Sequence, residues 1–451
     1  MTAPVDSLPP GFLAALTEYV AIPSDSRSAT PETMRAAAEW LAGRLSWAAG
    51  RVEETDGFPV VRGEWLGAPG APTVLVYGHY DVQPTGDLAE WHTAPFELVV
   101  DGPVLRGRGV TDDKGPVLLV LAMAEALLAE RGGLPLNVKF LLEGEEEIGS
   151  PHLPGYVRAH ADELAADLVI SADGAMWRPG EPSISIASKG LVALDIEVTG
   201  AAEDLHSGRY GGTVANPVHA LATVLASLHA ADGSVAVPGF AEGVAELSPQ
   251  RRAEIDAVPF DDEEYRVAVG VPELFGEAGY STLARLWERP TLEVNGITAG
   301  GKYTVIPHRA VGHVSCRLVG QQDPERVVAA ITAHVTALAV PGVEVAVRAD
   351  PGWVPAYRIE PDHPAVLAAR DALAEVYPGH PVLLAVIAGT LPATTLFESA
   401  LGAKTLFFSF ATADEKHHAP NEFMRISRIG EGMRAWAALW DRLATTTEGT
   451  R

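Results

Sequence analysis

Hydrophobic residues fall in short runs along this chain, and each run stops at a polar cluster. Thr73–Tyr77, Leu136–Leu142 and Leu168–Ser171 are of this kind and are predicted to be buried strands. Between the first two lies Pro116–Glu130, read as a buried helix. Thr30 followed by Pro31 and Glu32 is a helix start, with a capping hydroxyl before a proline at the first helical position. It opens an amphipathic stretch to about Trp47. Strands alternating with helices predict a mostly parallel α/β sheet, which places ligands at the carboxyl ends of its strands.

After Lys189-Gly190 the period changes. Over 191–199 the residues alternate, with Val192, Leu194, Ile196 and Val198 on one face and Asp195 and Glu197 on the other. A helix at about 215–230, strands at 291–297 and 310–319, a helix at 324–339 and a strand at 342–349 follow. That order is the split β-α-β-β-α-β unit, with 232–290 as a partly helical insertion. A loop-like stretch around Pro355–Pro364 leads into a helix, an apolar strand (Lys404–Phe410) and a long C-terminal helix at about 426–444. The predicted fold class is α/β: a three-layer α/β/α domain made of residues 1–190 and 358–451, interrupted by a ferredoxin-like domain at 191–357. The sequence holds no internal repeat and no low-complexity tract.

Length and charge narrow the partners. A chain of 451 residues has room for two or three domains, each with its own core. The formal net charge of −26 repels phosphate backbones and anionic lipid, so nucleic acid and membrane are not expected partners. Met1–Leu8 lacks the basic and apolar segments of a signal peptide. The longest apolar run, Val117–Ala129, is interrupted by Glu125 and too short for a bilayer. A lone cysteine, Cys316, rules out an internal disulfide and fits a reducing cytoplasm, the expected location.

The polar clusters at the strand ends are where chemistry is expected. His79-Tyr80-Asp81 follows the first strand, and the aspartate can accept a hydrogen bond from the imidazole, leaving the other ring nitrogen for a metal. The plain alternative is two polar residues at a strand end. Asp112-Asp113-Lys114-Gly115-Pro116 precedes the helix: a carboxylate there can bridge two cations, or simply cap the helix. Glu143-Gly144-Glu145-Glu146-Glu147 ends the second strand, and four carboxylates so close repel one another unless solvated or neutralised by cations. Asp173 closes the third strand, and His417-His418-Ala419-Pro420-Asn421-Glu422 follows Lys404–Phe410. Two histidines and several carboxylates beyond sheet strands are the inventory of a dinuclear zinc or manganese site. Arg317 sits on the strand 310–319 beside His313 and Ser315, where solvation alone accounts for it. His206 lies on a glycine-rich loop, far in sequence from the metal cluster.

The chain resembles the dinuclear-metal peptidases that include carnosinases, cytosolic nonspecific dipeptidases, acetylornithine deacetylase and succinyl-diaminopimelate desuccinylase, with the dipeptidase branch nearest. The motifs carrying the resemblance run in order: Gly78–Pro84, Arg106–Pro116, Glu143–Ser150, Asp204–Gly212, Lys302–Pro307, Ser315–Leu318 and His418–Glu422. The resemblance implies two divalent metal ions per chain, Zn2+ or Mn2+, with His79 and Asp173 on one, Glu147 and His418 on the other and Asp112 bridging. It implies Asp81 orienting His79, Glu146 as general base, a cis bond between Asp112 and Asp113, and His206 reaching the scissile carbonyl from the partner of a homodimer built through the inserted lid domain. Arg317 would grip the substrate carboxylate, with Thr304 in the same pocket. The family's glycine pair before serine reads here Val386-Ile387-Ala388-Gly389-Thr390, and the backbone of Gly389 and Thr390 would bind a substrate terminus. The implied reaction is hydrolysis of the amide bond of a small, carboxylate-bearing peptide. Deacylation of N-acyl amino acids by the same metals is the other enzymatic reading; a metal-storing protein on this fold would need neither Glu146 nor His206.

Overall fold

The computed structural model describes residues 8–445 apart from Lys302 and Ala339. The expectations for Met1–Ser7 and for Lys302 lie outside the described residues. The chain divides into two compact units: Met1–Ile186 with Ile359–Ala385 and Pro392–Arg451, and Ala187–Arg358 with Val386–Leu391.

In the first unit a six-stranded sheet runs in the order Arg51–Glu53, Val60–Trp65, Asn137–Glu143, Thr73–His79, Leu168–Ser171, Thr405–Phe407. The last four pair in parallel and the first two join antiparallel. Strand alternation sends Leu75 and Tyr77 to one face, where with Leu141 and Val169 they bury Leu153, Val157, Leu164, Leu396 and Phe397 of three helices, Leu153–Ala159, Ala161–Leu164 and Pro392–Leu401. Side chains so buried are each worth about 1.5–3 kcal/mol. Gly78 points the other way, and a Cβ there would lie 2.6 Å from Val117 Cγ2, so this face receives the helix Lys114–Arg131. That helix packs in turn on Ile426–Thr445, which meets Pro364–Val376. The result is three layers.

Local signals set the helix ends. Thr30 Oγ1 accepts the Thr33 N–H at 3.3 Å with Pro31 at the first position, and Lys114–Arg131 ends on Gly132 at φ 73. The stretch predicted to reach Trp47 stops sooner: the helix is Pro31–Arg44, then Ser46–Ala48 tightens into a 3₁₀ turn that closes on Ala49 at φ 51. Among the described residues no helix is long and apolar enough to cross a membrane.

The second unit holds a four-stranded antiparallel sheet in the order Thr291–Ala299, Arg309–Leu318, Gly190–Thr199, Glu344–Ala349. In chain order that is 2-3-1-4, the arrangement of the split βαβ sandwich. Val192, Leu194, Ile196 and Val198 meet Val314, Cys316 and Leu318 in one core beneath the helices Pro217–Ala226 and Pro324–Ala337. His313, Ser315 and Arg317 are left on the opposite face. Residues 232–290 form three short helices, Pro249–Asp256, Asp262–Val269 and Thr282–Glu288, joined by loops. Val386–Leu391 clusters with this unit although the chain on either side of it belongs to the first.

Candidate metal centre

In the first unit the chemistry gathers at the carboxyl ends of the parallel strands. His79 is the last residue of Thr73–His79; Glu146 and Glu147 begin a 3₁₀ turn just past Asn137–Glu143; Asp173 follows Leu168–Ser171; Asp112 precedes the helix Lys114–Arg131. His418, at φ 59, comes from the loop beyond Thr405–Phe407. Among the described residues two trios have donor atoms within 4.8 Å of one another: His79, Asp112 and Asp173, and Asp112, Glu147 and His418. Asp112 is common to both. Its Oδ1 lies 3.2 Å from His79 Nε2 and its Oδ2 lies 2.9 Å from His418 Nε2, so one carboxylate offers one oxygen to each histidine. His418 Nε2 is also 3.3 Å from Glu147 Oε2.

The acidic run after Leu142 is not a solvated surface. Glu143 accepts from Tyr77 Oη at 2.5 Å and from Ser150 Oγ; Glu145 accepts from the Phe58 N–H and faces His152 at 2.9 Å; both are buried. Glu147 accepts from Gln83 Nε2 at 2.8 Å through Oε2, while its buried Oε1 has no hydrogen-bond partner among the described residues. Asp113 does not cap the helix that it precedes. Its Oδ2 accepts the His79 N–H at 3.2 Å, and the Asp112–Asp113 peptide is cis.

Electrostatics separate these groups. Asp112 is held well below the usual carboxylate range: burial pushes it up, but hydrogen bonds with His418 and His79 prevail. Glu147 is raised to about 7 by burial and by the Asp112 charge. Asp173 is raised for the same two reasons. Glu146 is pushed well above its ordinary value by burial, partly offset by His79, and then by the charges of Asp173, Glu147 and Asp112. Burial and mutual repulsion thus act on three carboxylates in one place, and a bound cation would offset both. A divalent cation held by each trio would supply positive charge there, and two imidazoles with three carboxylates suit zinc or manganese. The residues fit the implied metals.

Asp81 departs in detail from the expected geometry. His79 Nδ1 lies 3.0 Å from the Asp81 carbonyl oxygen and 3.4 Å from its carboxylate. The carboxylate instead accepts the N–H groups of Glu146 and Glu147 at 3.2 and 3.0 Å. One residue thereby sets both the tautomer of His79 and the position of the acidic turn. Glu422, quoted in a motif but given no role from sequence, is fully buried. It accepts the N–H groups of Gly109, Thr111 and Asp112 at 3.0, 3.0 and 3.2 Å and pairs with Arg108 at 2.7 Å. It holds the loop that presents Asp112. Only the folded chain brings residues 313, 311 and 310 positions apart together, so no local signal marked it.

In the second unit His206 is exposed, and its Nδ1 accepts the Gly208 N–H at 3.1 Å. That bond places the ring proton on Nε2, which is left as a donor. Leu205–His206 pairs with Val305–Ile306, and the Thr304 carbonyl accepts from the Ser207 N–H and Oγ, so the loops of His206 and Thr304 are one structure. Arg317 is not merely solvated: Nη1 donates to Thr390 Oγ1 at 2.8 Å. Lys189 N–H meets the carbonyls of Ile387 and Gly389 at 3.2 and 3.0 Å, which fixes the bend that carries Gly389 and Thr390 just past the strand Leu383–Ile387.

A three-layer α/β domain with overlapping His-carboxylate trios at its strand ends, and a ferredoxin-like insertion, defines a class of metal-dependent peptidases. The chain belongs to peptidase family M20/M25/M40, whose sequence profile matches residues 75–442. It is 31% identical over 459 residues to the Beta-Ala-His dipeptidase of Homo sapiens, covering 96% of this chain and 90% of that one. It is 29% identical over 474 residues to the Cys-Gly metallodipeptidase dug1 of Schizosaccharomyces pombe, covering 98% of each. Among solved structures it is similar to the M20 family metallo-carboxypeptidase Sso-CP2 of Sulfolobus solfataricus, with a TM-score of 0.82 and 30% identity over 96% of this chain and 99% of that one.

Proposed function

We propose that this chain is a dinuclear-metal dipeptidase. It is a metallopeptidase that hydrolyses dipeptides; zinc or manganese as the metal, and the roles below, are our reading. The observation that carries it is the Asp112 carboxylate, with one oxygen toward His79 and the other toward His418. His79 and Asp173 would hold one ion, Glu147 and His418 the other, and Asp112 both. When bound, the metals supply Lewis acidity, acidifying a water and polarising the amide carbonyl.

Glu146 would take a proton from the attacking water as its oxygen bonds to the carbonyl carbon, then pass that proton to the departing nitrogen as the C–N bond breaks. The like charges that raise Glu146 are those a cation offsets. His206, a donor through Nε2, would stabilise the oxyanion, a contribution worth about 3–4 kcal/mol. We assign it to the partner of a homodimer paired through the inserted unit. Arg317 would bind the substrate carboxylate, oriented by Thr390, with the backbone of Gly389 and Thr390 and the loop of Thr304 completing the recess. Cys316 is buried and its thiol pushed up to about 12 by burial, an inert group suited to the cytoplasm. Deacylation of N-acyl amino acids is not favoured, since the similar curated proteins are named as dipeptidases.

Metal analysis tests the assignment within the acidic run. Glu146→Gln should abolish turnover with metal content near two per chain, since a base is lost but no ligand. Glu147→Gln should lower metal content as well. The reverse order would shift the base by one residue and overturn this reading.

A further inference from the structure

The second unit contains a cavity of about 560 Å³ on whose wall Arg317 lies. That volume falls within the ~300–1,000 Å³ of small-molecule sites. Residues 232–290, a segment to which sequence reading attached no role, make much of its lining. Val235, Phe275, Leu286 and Pro290 supply apolar surface. Phe275 is 79% exposed, a large ring held in the open with little to pack against.

The charges on this wall do not cancel. Arg289 is spent on Glu277 through two bonds of 2.6 and 2.7 Å, and Arg285 donates to the carbonyls of Glu277 and Phe275. Glu293 is a second anion on the rim. Arg285, Lys189 and Arg317 remain on the cationic side, in a protein whose net charge is −26. The Lys189 side chain is buried, and Nζ spends one of its three hydrogens on the Arg289 carbonyl at 2.8 Å. Burial and the charge of Arg317 pull this ammonium down to about 8, a strain that an anion beside both groups relieves.

Resting on the dipeptidase reading, we propose that this cavity receives the C-terminal residue of the substrate. Lys189 joins Arg317 on its carboxylate, and the segment 232–290 walls in its side chain, so that dipeptides ending in a bulky apolar residue are preferred to those ending in glycine. The segment is then a specificity device rather than a spacer.

The metal-loaded enzyme assayed on Ala-Gly, Ala-Leu and Ala-Phe tests this. Wild type should favour Ala-Phe over Ala-Gly by about tenfold or more in kcat/KM, the scale of discrimination that an apolar pocket gives. Leu286→Trp, which fills the cavity, should bring that ratio close to one. Lys189→Met should raise KM for all three by about tenfold with kcat held, and Lys189→Arg should recover most of the loss. Melting curves identify a variant that fails to fold; the wild-type ratio and Leu286→Trp then still decide. A wild-type ratio of one or less, a ratio unmoved by Leu286→Trp, or an unchanged KM in Lys189→Met overturns the proposal while the dipeptidase reading stands. No turnover of any of the three overturns both.

Discussion

Replacing Glu422 by Gln tests whether the position of Asp112 is set by its backbone as well as by its ligands. Oε1 of Glu422 accepts the N–H groups of Thr111 and Asp112, and Oε2 accepts from Gly109 N–H and Arg108 Nη1. An amide nitrogen at either place faces two donors, so no orientation of the glutamine satisfies all four. The substitution also removes the negative partner of Arg108, which is only 1% exposed. Breaking a buried pair by removing one partner costs about 3–5 kcal/mol. Arg108 keeps its bond to the Pro84 carbonyl at 3.0 Å and its place over the Trp91 ring, which argues for the lower end, about 3 kcal/mol. Loss of a group that orients a ligand costs about 10–100-fold in metal affinity. The assay is metal retained in graded chelator buffers, read beside thermal unfolding of the metal-free protein. Glu422→Asp, which keeps the charge but is too short to reach all four donors, should fall between wild type and Glu422→Gln. If the melt drops as expected while metal affinity stays within about twofold, Glu422 serves stability alone and the reasoning fails.

Three further outcomes follow from the site. Arg317→Ala should weaken free-carboxylate dipeptides by about tenfold or more and leave C-terminally amidated ones, poor substrates from the start, little changed; equal losses on both would make Arg317 structural. His206→Ala and Glu146→Ala, each inactive, should regain about a quarter of wild-type activity when refolded together in equal amounts, because random pairing makes about half of the dimers mixed and one site in two of those has both groups. Activity no higher than either parent would place His206 in its own subunit or remove the dimer. Leu194→Ala, in the core of the inserted unit, should destabilise that unit by about 2–5 kcal/mol while metal content, held by residues of the first unit, stays at the wild-type level. Metal loss in step with unfolding of the inserted unit would refute that independence.

Much of the fold was legible because burial writes itself locally. A strand covered on both faces must be apolar along its covered length, as in Val74, Leu75 and Val76 of Thr73–His79, and one covered on a single face must alternate, as in Gly190–Thr199 with its regular pattern of buried and half-buried positions. The metal-binding candidates were legible for a related reason: parallel strands end where helices begin, so His79, Glu147 and Asp173 announce themselves as polar residues at the ends of apolar runs. Tertiary structure decided what depends on distance in sequence. It turned the Asp81 carboxylate onto the backbone of Glu146 and Glu147 while keeping it 3.4 Å from His79, withdrew Asp113 from the helix cap to the His79 N–H, and gave Glu422 its hold on residues 109–112. It also gave Arg317 a partner in Thr390, 73 positions away. A one-dimensional pattern records which side chains leave water. Which polar atom a buried carboxylate then finds is decided by packing, because once water is gone each must be satisfied by whatever the folded chain brings within about 3 Å.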